Sequence, residues 1–463
     1  MFHTSESRYS FAGRIVTLLY ASELGVALVT FGLYKSPEVK WAMFWTRAGF
    51  IILIGSLVVL IAGFRMAKES VRFGAEARRM WMTAIVTNLV TILLTAAVLE
   101  GIFRITARES DAGLRILNLV VPYGESELLD RSRHTIDRIS RAGRDRDSYF
   151  VYDSDLGWTV GRSRVTTDGM YASSEEGLRS ASPGERLRDA APRARVAIIG
   201  DSNAFSLEVP YQESLAHYLQ KLLGADIQVL NFGVDGYGID QIYLRYQRDV
   251  RPWHPDVVIV VFVEHDLWRT MIVYPFLSLG WPGYLVKPRF DNGLTKSQLI
   301  NVPLITHEKI MSIKYARELP YLAYDPWSKR DWWTSWIERG PLVLRVIAAL
   351  SPRWSPPDPQ FSEDAIVTLN ARLFVKMRNL MVQEGVTPIL LLVPRGNRTP
   401  ELSLKTLRLA QVPFLDVSGC VTEVPDPHRY VPSGNHFTGH VNAALAKCVS
   451  SEVQKVFSPP HHP

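Results

Sequence analysis

Val196-Ala-Ile-Ile-Gly-Asp-Ser-Asn203 is the stretch that decides the fold of this chain and points to its chemistry. The apolar run from Val196 to Ile199 predicts a short buried strand. Gly200 and Asp201 then predict a turn, so Ser202 stands where a strand gives way to a loop and a helix. A nucleophile at a rigid strand end keeps its attack geometry at little entropic cost. Turn chemistry alone explains most Gly-Asp-Ser tripeptides, so other segments must support this interpretation.

Three later segments repeat the arrangement, each with polar or glycine residues at the end of a predicted strand or just before a helix. They are Asn231 to Gly238 after the run Ile227 to Leu230, Glu264 to Asp266 after the run Val257 to Val263, and Ser433 to Thr438 before a small-residue helix from Val441 to Ala446. In an open parallel sheet, the carboxyl edge of the strands is where ligands bind. Alternating strands and helices predict such a sheet, covered by helices on both faces.

Together these segments resemble the SGNH (GDSL-like) hydrolase family over roughly 155–451, which implies a flavodoxin-like α/β fold. Gly200-Asp201-Ser202 matches the first block of the family and implies that Ser202 is the nucleophile. The second block places Gly236 where the family uses a backbone N–H, beside that of Ser202, in the oxyanion hole. Asn203, next to the nucleophile, is a candidate substrate-binding residue. Segments 156–158 and 176–179 resemble lead-in segments of membrane-tethered bacterial members.

Two blocks depart from the family pattern. The third block normally reads Gly-x-Asn-Asp, and here His265 stands where the Asn amide donates to the oxyanion; a neutral imidazole still offers one N–H. The last block normally reads Asp-x-x-His, and here Ser433 replaces the Asp while His436 is kept as the general base. Asp426, Ser433 itself or a backbone carbonyl are the candidates for orienting His436. Losing the carboxylate costs on the order of 10⁴ in serine proteases, so the site is slow, specialised or inactive unless another group replaces it.

Residues 267–357 form a predicted insertion that holds seven of the 12 tryptophans. Loops of this length are usually functional. One hypothesis is a platform for sugar rings beside Ser202, with Trp332 and Trp333 as candidate contacts. A small satellite core and an aromatic belt at a membrane interface are the alternatives.

Three apolar stretches, 15–34, 43–64 and 82–103, are each long enough to cross a bilayer as a helix. The loop between the second and third carries five basic residues, namely Arg65, Lys68, Arg72, Arg78 and Arg79. The positive-inside rule places that loop in the cytoplasm and everything after about Arg104 on the far side. The prediction is a multi-pass protein of the bacterial inner (cell) membrane with its catalytic domain on the periplasmic or extracellular side.

The composition of the chain narrows the classes of partner and cofactor that it can be expected to bind. The net charge of +6 comes largely from juxtamembrane Arg and Lys, which favour the lipid bilayer as a partner rather than nucleic acid. No phosphate-binding or dinucleotide motif and no metal-ligand spacing occurs, so we predict no cofactor and no metal. The two cysteines, Cys420 and Cys448, lie on the predicted outer side, where they form either a disulfide or two separate buried thiols.

The predicted organisation is a membrane anchor (1–110), a linker and lead-in segment (111–194) and an SGNH hydrolase-like domain (195–455). The resemblance and the predicted location imply a membrane-anchored serine esterase for O-acyl groups, with acetyl as the expected group, on an envelope or secreted polysaccharide. An O-acetyltransferase with the same residues, supplied by a membrane acyltransferase partner, is one alternative. A catalytically degenerate SGNH-fold protein for glycan binding or assembly is the other.

Overall fold

The computed structural model describes residues 61, 75–110, 113–116, 119–143, 149–291, 298–329, 337, 340–350, 359–394, 400–433 and 436–457. The helices are α1 (Ala75–Thr106), α2 (Glu125–Gly143), α3 (Ser202–Phe205), α4 (Leu215–Leu223), α5 (Ile239–Arg245), α6 (Glu264–Arg269), α7 (Pro275–Ser278), α8 (His307–Ser312), α9 (Leu342–Leu350), α10 (Glu363–Gln383), α11 (Glu401–Ala410), α12 (Ser418–Thr422) and α13 (Gly439–Phe457). The strands are β1 (Arg108–Ser110), β2 (Gly113–Ile116), β3 (Leu119–Val121), β4 (Phe150–Asp153), β5 (Gly157–Val160), β6 (Ala172–Ser173), β7 (Arg179–Ser180), β8 (Ala194–Gly200), β9 (Ile227–Asn231), β10 (Val257–Phe262), β11 (Thr387–Leu392) and β12 (Leu415–Asp416).

The chain divides into two compact units. One comprises 1–124 and 331–354, and the other comprises 125–330 and 355–463. In the first unit β1, β2 and β3 form an antiparallel sheet. Side chains of α1, this sheet and α9 share one apolar cluster that includes Phe103, Val121 and Val346.

The second unit is built on a seven-stranded sheet of order β12-β11-β10-β8-β9-β7-β6. The first five strands are parallel. The continuous apolar runs of β8 and β10 are typical of parallel strands that are buried on both faces. The sheet is nevertheless mixed, so the prediction of a purely parallel sheet is wrong at one edge. The lead-in segment returns there as a short hairpin, and β7 pairs antiparallel with β9 through Arg179 and Asn231.

Alternating side chains of the parallel strands enter two separate cores. Ala197 and Ile199 of β8 pack with the side of the sheet that α5, α10 and α11 cover. Val196 and Ile198 pack with the opposite side, which α4, α12 and α13 cover. This helix–sheet–helix layering holds the ends of β8, β9 and β10 next to one another, because these three strands are adjacent in the sheet.

Serine residues cap two helices of the second unit. Ser362 caps α10, and α4 begins after Ser214, which caps it by accepting a hydrogen bond from the His217 amide at 3.2 Å. Cys420 and Cys448 form a disulfide that joins α12 to α13. The segment between them carries Ser433 and His436.

Among the described residues, one helix is long and apolar enough to cross a membrane: Ile85–Thr106, with mean hydropathy 2.0. It corresponds to the predicted span 82–103. This assignment rests on the length and composition of the helix, and the core helix of a soluble protein or a signal sequence would meet the same criteria. The predicted spans 15–34 and 43–64 lie outside the described residues, apart from Ile61.

Candidate active site

Ser202 begins α3 directly after β8. Asp201 caps this helix by accepting a hydrogen bond from the Asn203 amide at 2.9 Å, and Ser202 is 4% exposed. Gly200 is required here because a Cβ would lie 2.2 Å from the Val261 carbonyl oxygen of the neighbouring strand. The predicted strand–turn–helix therefore places the Ser202 hydroxyl at the carboxyl edge of the sheet. Within the described chain, that hydroxyl contacts Asp201 Oδ2 at 3.4 Å.

His436 meets a carboxylate that the sequence pattern does not indicate. Its Nδ1 atom is in hydrogen-bond contact with Oε2 of Glu208, six residues beyond Ser202. The Ser433 hydroxyl donates to the same oxygen at 2.8 Å. Because a carboxylate accepts, Nδ1 carries the proton, and Nε2 is left as the nitrogen that can act as a base. An acidic partner for the imidazole is thus present, although it does not come from position 433.

Asp426, the acidic candidate from the sequence, contacts another residue. Its carboxylate pairs with Arg429 at 3.1 Å, and its side chain is 66% exposed. Ser433, the other candidate orienter, donates to the same Glu208 oxygen that His436 contacts. No local spacing distinguishes Glu208, because the contact depends on two chain segments that are 228 residues apart.

The loop after β9 packs against α3. The side-chain amide nitrogen of Asn231 donates to the Ala204 carbonyl oxygen at 3.0 Å, and its side-chain oxygen accepts from the backbone amide of Gly233 at 2.9 Å. The Val234 amide donates to the Gly200 carbonyl oxygen at 3.1 Å. A Cβ at Gly233 would lie 2.3 Å from a backbone nitrogen of α3, so only glycine permits this approach. The second block is therefore fixed directly beside Ser202.

Gly236, the candidate oxyanion donor, is buried and has a φ of +77°. A Cβ there would lie 3.0 Å from the Trp281 ring and 3.4 Å from the Trp158 ring. Tyr284 stacks on Trp158 with ring centroids 4.4 Å apart. The first part of the tryptophan-rich insertion therefore packs on the second block. Trp332 and Trp333 lie outside the described residues.

The third block divides its side chains among different partners. Glu264 accepts from the Leu402 amide at 2.8 Å at the start of α11. Asp266 accepts from the Val263 amide at 3.0 Å and pairs with Arg269 at 2.6 Å. His265, half-buried in the first turn of α6, stays a predicted oxyanion donor.

A buried charged cluster connects this block to the segment that carries Ser202. Arg269 lies 3.7 Å from Asp201 and donates to the Tyr237 carbonyl oxygen at 3.0 Å. Burial raises the pKa of Asp266 well above its ordinary value, and the nearby negative charge of Asp201 raises it further. The cluster fixes the residue that precedes Ser202. Asn203 also contacts Asp201, through its side-chain amide at 3.1 Å.

Asp235 lies in the same electrostatic neighbourhood. Burial raises the pKa of its carboxyl, whereas the hydrogen bond from the Tyr284 hydroxyl and the positive charge of Arg269 lower it. The negative charge of Asp201 raises the pKa of Asp235 further. The residues of the first, second and third blocks thus influence one another electrically, as expected for groups that share one edge of the sheet. Within the described chain, no group of three or more metal-ligating side chains occurs.

Comparisons with known proteins give a structural likeness only. No protein-family model matches the chain, and no curated protein matches its sequence. Among solved structures, a G-D-S-L family lipolytic protein from Desulfitobacterium hafniense is 12% identical, covering 56% of this chain and 98% of its own, with a TM-score of 0.31. A lipase/acylhydrolase from Enterococcus faecalis is 13% identical over 58% and 100%, also with a TM-score of 0.31.

An acetyl xylan esterase from Geobacillus stearothermophilus is 12% identical over 57% of this chain and 96% of its own, with a TM-score of 0.31. The structural neighbours are GDSL-type lipolytic proteins and esterases. With TM-scores of 0.31, these neighbours carry no argument about the roles of individual residues in this chain. Those roles rest on the contacts described above.

Proposed function

We propose that this chain is a membrane-anchored SGNH-type serine esterase that cleaves O-acyl, and specifically O-acetyl, esters of an envelope or secreted polysaccharide. One observation carries the proposal: the imidazole of His436 bonds a carboxylate through Nδ1. That contact fixes the tautomer and stabilises the imidazolium, which is the role of the acid in a serine–histidine–acid triad. It also removes the main objection from the sequence, the absence of an acid at position 433.

The reaction proceeds by covalent catalysis. Ser202 Oγ attacks the ester carbonyl while Nε2 of His436 accepts its proton, and the N–H groups of Ser202 and Gly236, with His265, stabilise the oxyanion. Collapse of the intermediate releases the sugar alcohol, which takes the proton from His436. Water then attacks the acyl-enzyme, His436 accepts a proton from it, and the released Ser202 regains a proton as the carboxylic acid leaves. The Ser202 hydroxyl must first turn from Asp201 towards the imidazole, and catalytic hydrogen bonds often form only with substrate bound.

The location is part of the proposal. Three membrane spans with the catalytic domain outside account for the charge of the loop between the second and third spans. The large apolar side chains on α1, such as Leu93 (69% exposed) and Leu94 (62% exposed), support a span there, because water solvates such a surface poorly. The Cys420–Cys448 disulfide supports an oxidising compartment for the second unit. The family resemblance and this location support a polysaccharide substrate.

Covalent labelling tests the proposed chemistry. The full chain in detergent should react with a fluorophosphonate probe and hydrolyse p-nitrophenyl acetate, and Ser202→Ala should lose both activities. Ser312→Ala removes an exposed hydroxyl that, among the described residues, donates to the Lys309 carbonyl oxygen, and this variant should behave as the parent chain. Labelling that persists in Ser202→Ala rejects Ser202 as the nucleophile.

A non-catalytic glycan-binding or assembly protein is the second candidate, favoured by the contact of the Ser202 hydroxyl with Asp201 instead of the imidazole. Complete lack of labelling together with retained binding of an acetylated glycan would establish it. Acetyl transfer and ester hydrolysis would use the same catalytic residues, so the two reactions differ only in the molecule that accepts the acetyl group. Acetyl transfer to an added oligosaccharide, in competition with water, would identify the transferase that a membrane acyltransferase partner could supply.

A further inference from the structure

The segment that carries Glu208 has a strained backbone. We call residues 205–209 the acid loop. Ser206 and Glu208 both adopt left-handed backbone conformations, with φ of +60° and +66°. For residues other than glycine, this conformation is sterically unfavourable. Contacts from elsewhere in the fold must therefore hold the loop in this form.

Arg179 supplies most of those contacts. It is 1% exposed, and its guanidinium donates to the carbonyl oxygens of Ser206 and Val209, both at 2.5 Å, and to that of Phe205. Burial lowers the pKa of Arg179 to about 10, so the group stays charged at neutral pH. The planar fork of a guanidinium can hold several carbonyl groups at once, which a point-like ammonium cannot do.

Tyr171 completes the arrangement at Glu208 itself. Its hydroxyl accepts from the Glu208 amide at 2.8 Å, and its ring lies 5.0 Å from the Arg179 guanidinium. The backbone of the acid loop is thus held on both sides of the Glu208 side chain. That side chain is about one-third exposed, and its bonds go to His436 and Ser433.

We propose that Tyr171 and Arg179 are positioning residues, which set the place of the Glu208 carboxylate and, through it, the orientation of His436. This inference rests on the proposed esterase function. Neither residue touches the reacting atoms, and both act through the acid loop. A displacement of about 1 Å at a catalytic group can cost about 10²-fold in rate, so loss of either contact should reduce turnover more than binding.

Tyr149 offers a matched control for Tyr171. Both phenols belong to the same aromatic cluster around Phe205, with Tyr149 and Tyr171 ring centroids 5.7 Å apart. The Tyr149 hydroxyl donates to the Ala172 carbonyl oxygen at 3.0 Å and makes no contact with the acid loop among the described residues. Phenylalanine at either position removes one hydroxyl and keeps the ring.

The experiment compares Tyr171→Phe, Tyr149→Phe and Glu208→Gln in the full chain with p-nitrophenyl acetate. We expect Tyr171→Phe to lower kcat about tenfold with little change in KM, and Tyr149→Phe to stay within about twofold of the parent chain. In the Glu208→Gln background, Tyr171→Phe should have no further effect, because its influence passes through the carboxylate. Equal effects of the two Tyr→Phe changes, or a full additional loss in the double variant, would overturn the proposal.

A second readout does not depend on esterase activity. Diethyl pyrocarbonate acylates a neutral imidazole, and a carboxylate on Nδ1 makes Nε2 more nucleophilic. Mass mapping in the Ser202→Ala background should show slower modification of His436 with Tyr171→Phe and Glu208→Gln, but not with Tyr149→Phe. If turnover persists in Ser202→Ala while this pattern holds, the proposed function fails and the positioning role stands. If turnover requires Ser202 and the pattern is absent, the positioning role fails alone.

Discussion

At the scale of single residues, the acid of the candidate triad has changed its place in the chain. Ser433 stands where the SGNH pattern has Asp, and its hydroxyl donates to the carboxylate that bonds His436. Glu208 therefore accepts from two residues of the last block at one oxygen. The candidate nucleophile, Ser202, and the candidate acid, Glu208, lie on one short stretch after β8, whereas the candidate base, His436, comes from the C-terminal segment.

Replacing the acid by its amide tests this assignment. Glu208→Gln keeps the size of the side chain but removes the charge that stabilises the imidazolium, so kcat should fall by about 10³–10⁴. Asp426→Asn changes an exposed carboxylate that pairs with Arg429, and kcat should be unaffected. Steady-state kinetics of both variants provide the measurement. If kcat falls by similar factors in the two variants, or does not fall in Glu208→Gln, then Glu208 is not the acid that orients and stabilises His436.

The sequence allowed the prediction of Ser202 and His436 because each belongs to a short local pattern. Glu208 belongs to none, since its role arises when the C-terminal segment reaches the acid loop. Its left-handed backbone, its contact with His436 and the contacts of Tyr171 and Arg179 identify it only in three dimensions. Arg179 itself lies in the lead-in segment that resembles the family, but nothing in its spacing indicates contact with the acid loop.

At the scale of elements, the approach of the β9 loop to α3 shapes the site. The apolar runs made β8, β9 and β10 predictable. The antiparallel pair β6 and β7 was not, because strands of two residues have no usable period and their pairing depends on a single partner at the end of β9. That short hairpin carries Arg179 into the core.

Gly233 provides a test of this approach. In Gly233→Ala the new Cβ would lie 2.3 Å and 2.6 Å from backbone atoms of Phe205 and Ala204, which no side-chain movement can relieve. We expect a loss of about 1–3 kcal/mol in unfolding free energy together with reduced fluorophosphonate labelling. Gly419→Ala, with nothing within 4 Å of its Cβ, should unfold at the same temperature as the parent chain or slightly higher. A Gly233→Ala variant with parental stability and labelling would contradict this packing.

The buried cluster of Asp201, Asp266 and Arg269 predicts a pH effect. Because the folded pKa of Asp266 is raised, the folded state binds this proton more tightly than the unfolded state does. Its contribution to stability is present below the unfolded pKa of about 3.9 and is lost as pH rises through the folded value. The unfolding free energy of Asp266→Asn minus that of the parent chain should therefore increase with pH, by at most about 1.4 kcal/mol per unit. Denaturant titrations from pH 4 to pH 8 measure it, and a flat or falling difference would refute the raised pKa.

At the scale of the whole molecule, the disulfide connects the chemistry to the compartment. Cys420 and Cys448 close a segment of the chain that contains Ser433 and His436, and helices α12 and α13 hold its ends. The bridge limits the freedom of the last block to move away from Glu208. A disulfide persists in an oxidising compartment and is reduced in the cytosol. The redox state of this one bond therefore tests the proposed location of the second unit outside the cytoplasm.

Alkylation of thiols in intact bacteria reads out that state. If the second unit faces the periplasm or the exterior, a maleimide added to cells that express the full chain should leave both cysteines unmodified, and treatment with a reductant should make both reactive. In Cys420→Ser, the remaining Cys448 has no partner and should be alkylated without reductant once the cells are permeabilised and the chain is denatured. This variant shows that the method detects a free thiol in this protein. The parent chain is treated in the same way, with alkylation after permeabilisation and denaturation but without reductant. If both of its cysteines are then alkylated, the second unit lies in a reducing compartment and the proposed outward orientation is wrong.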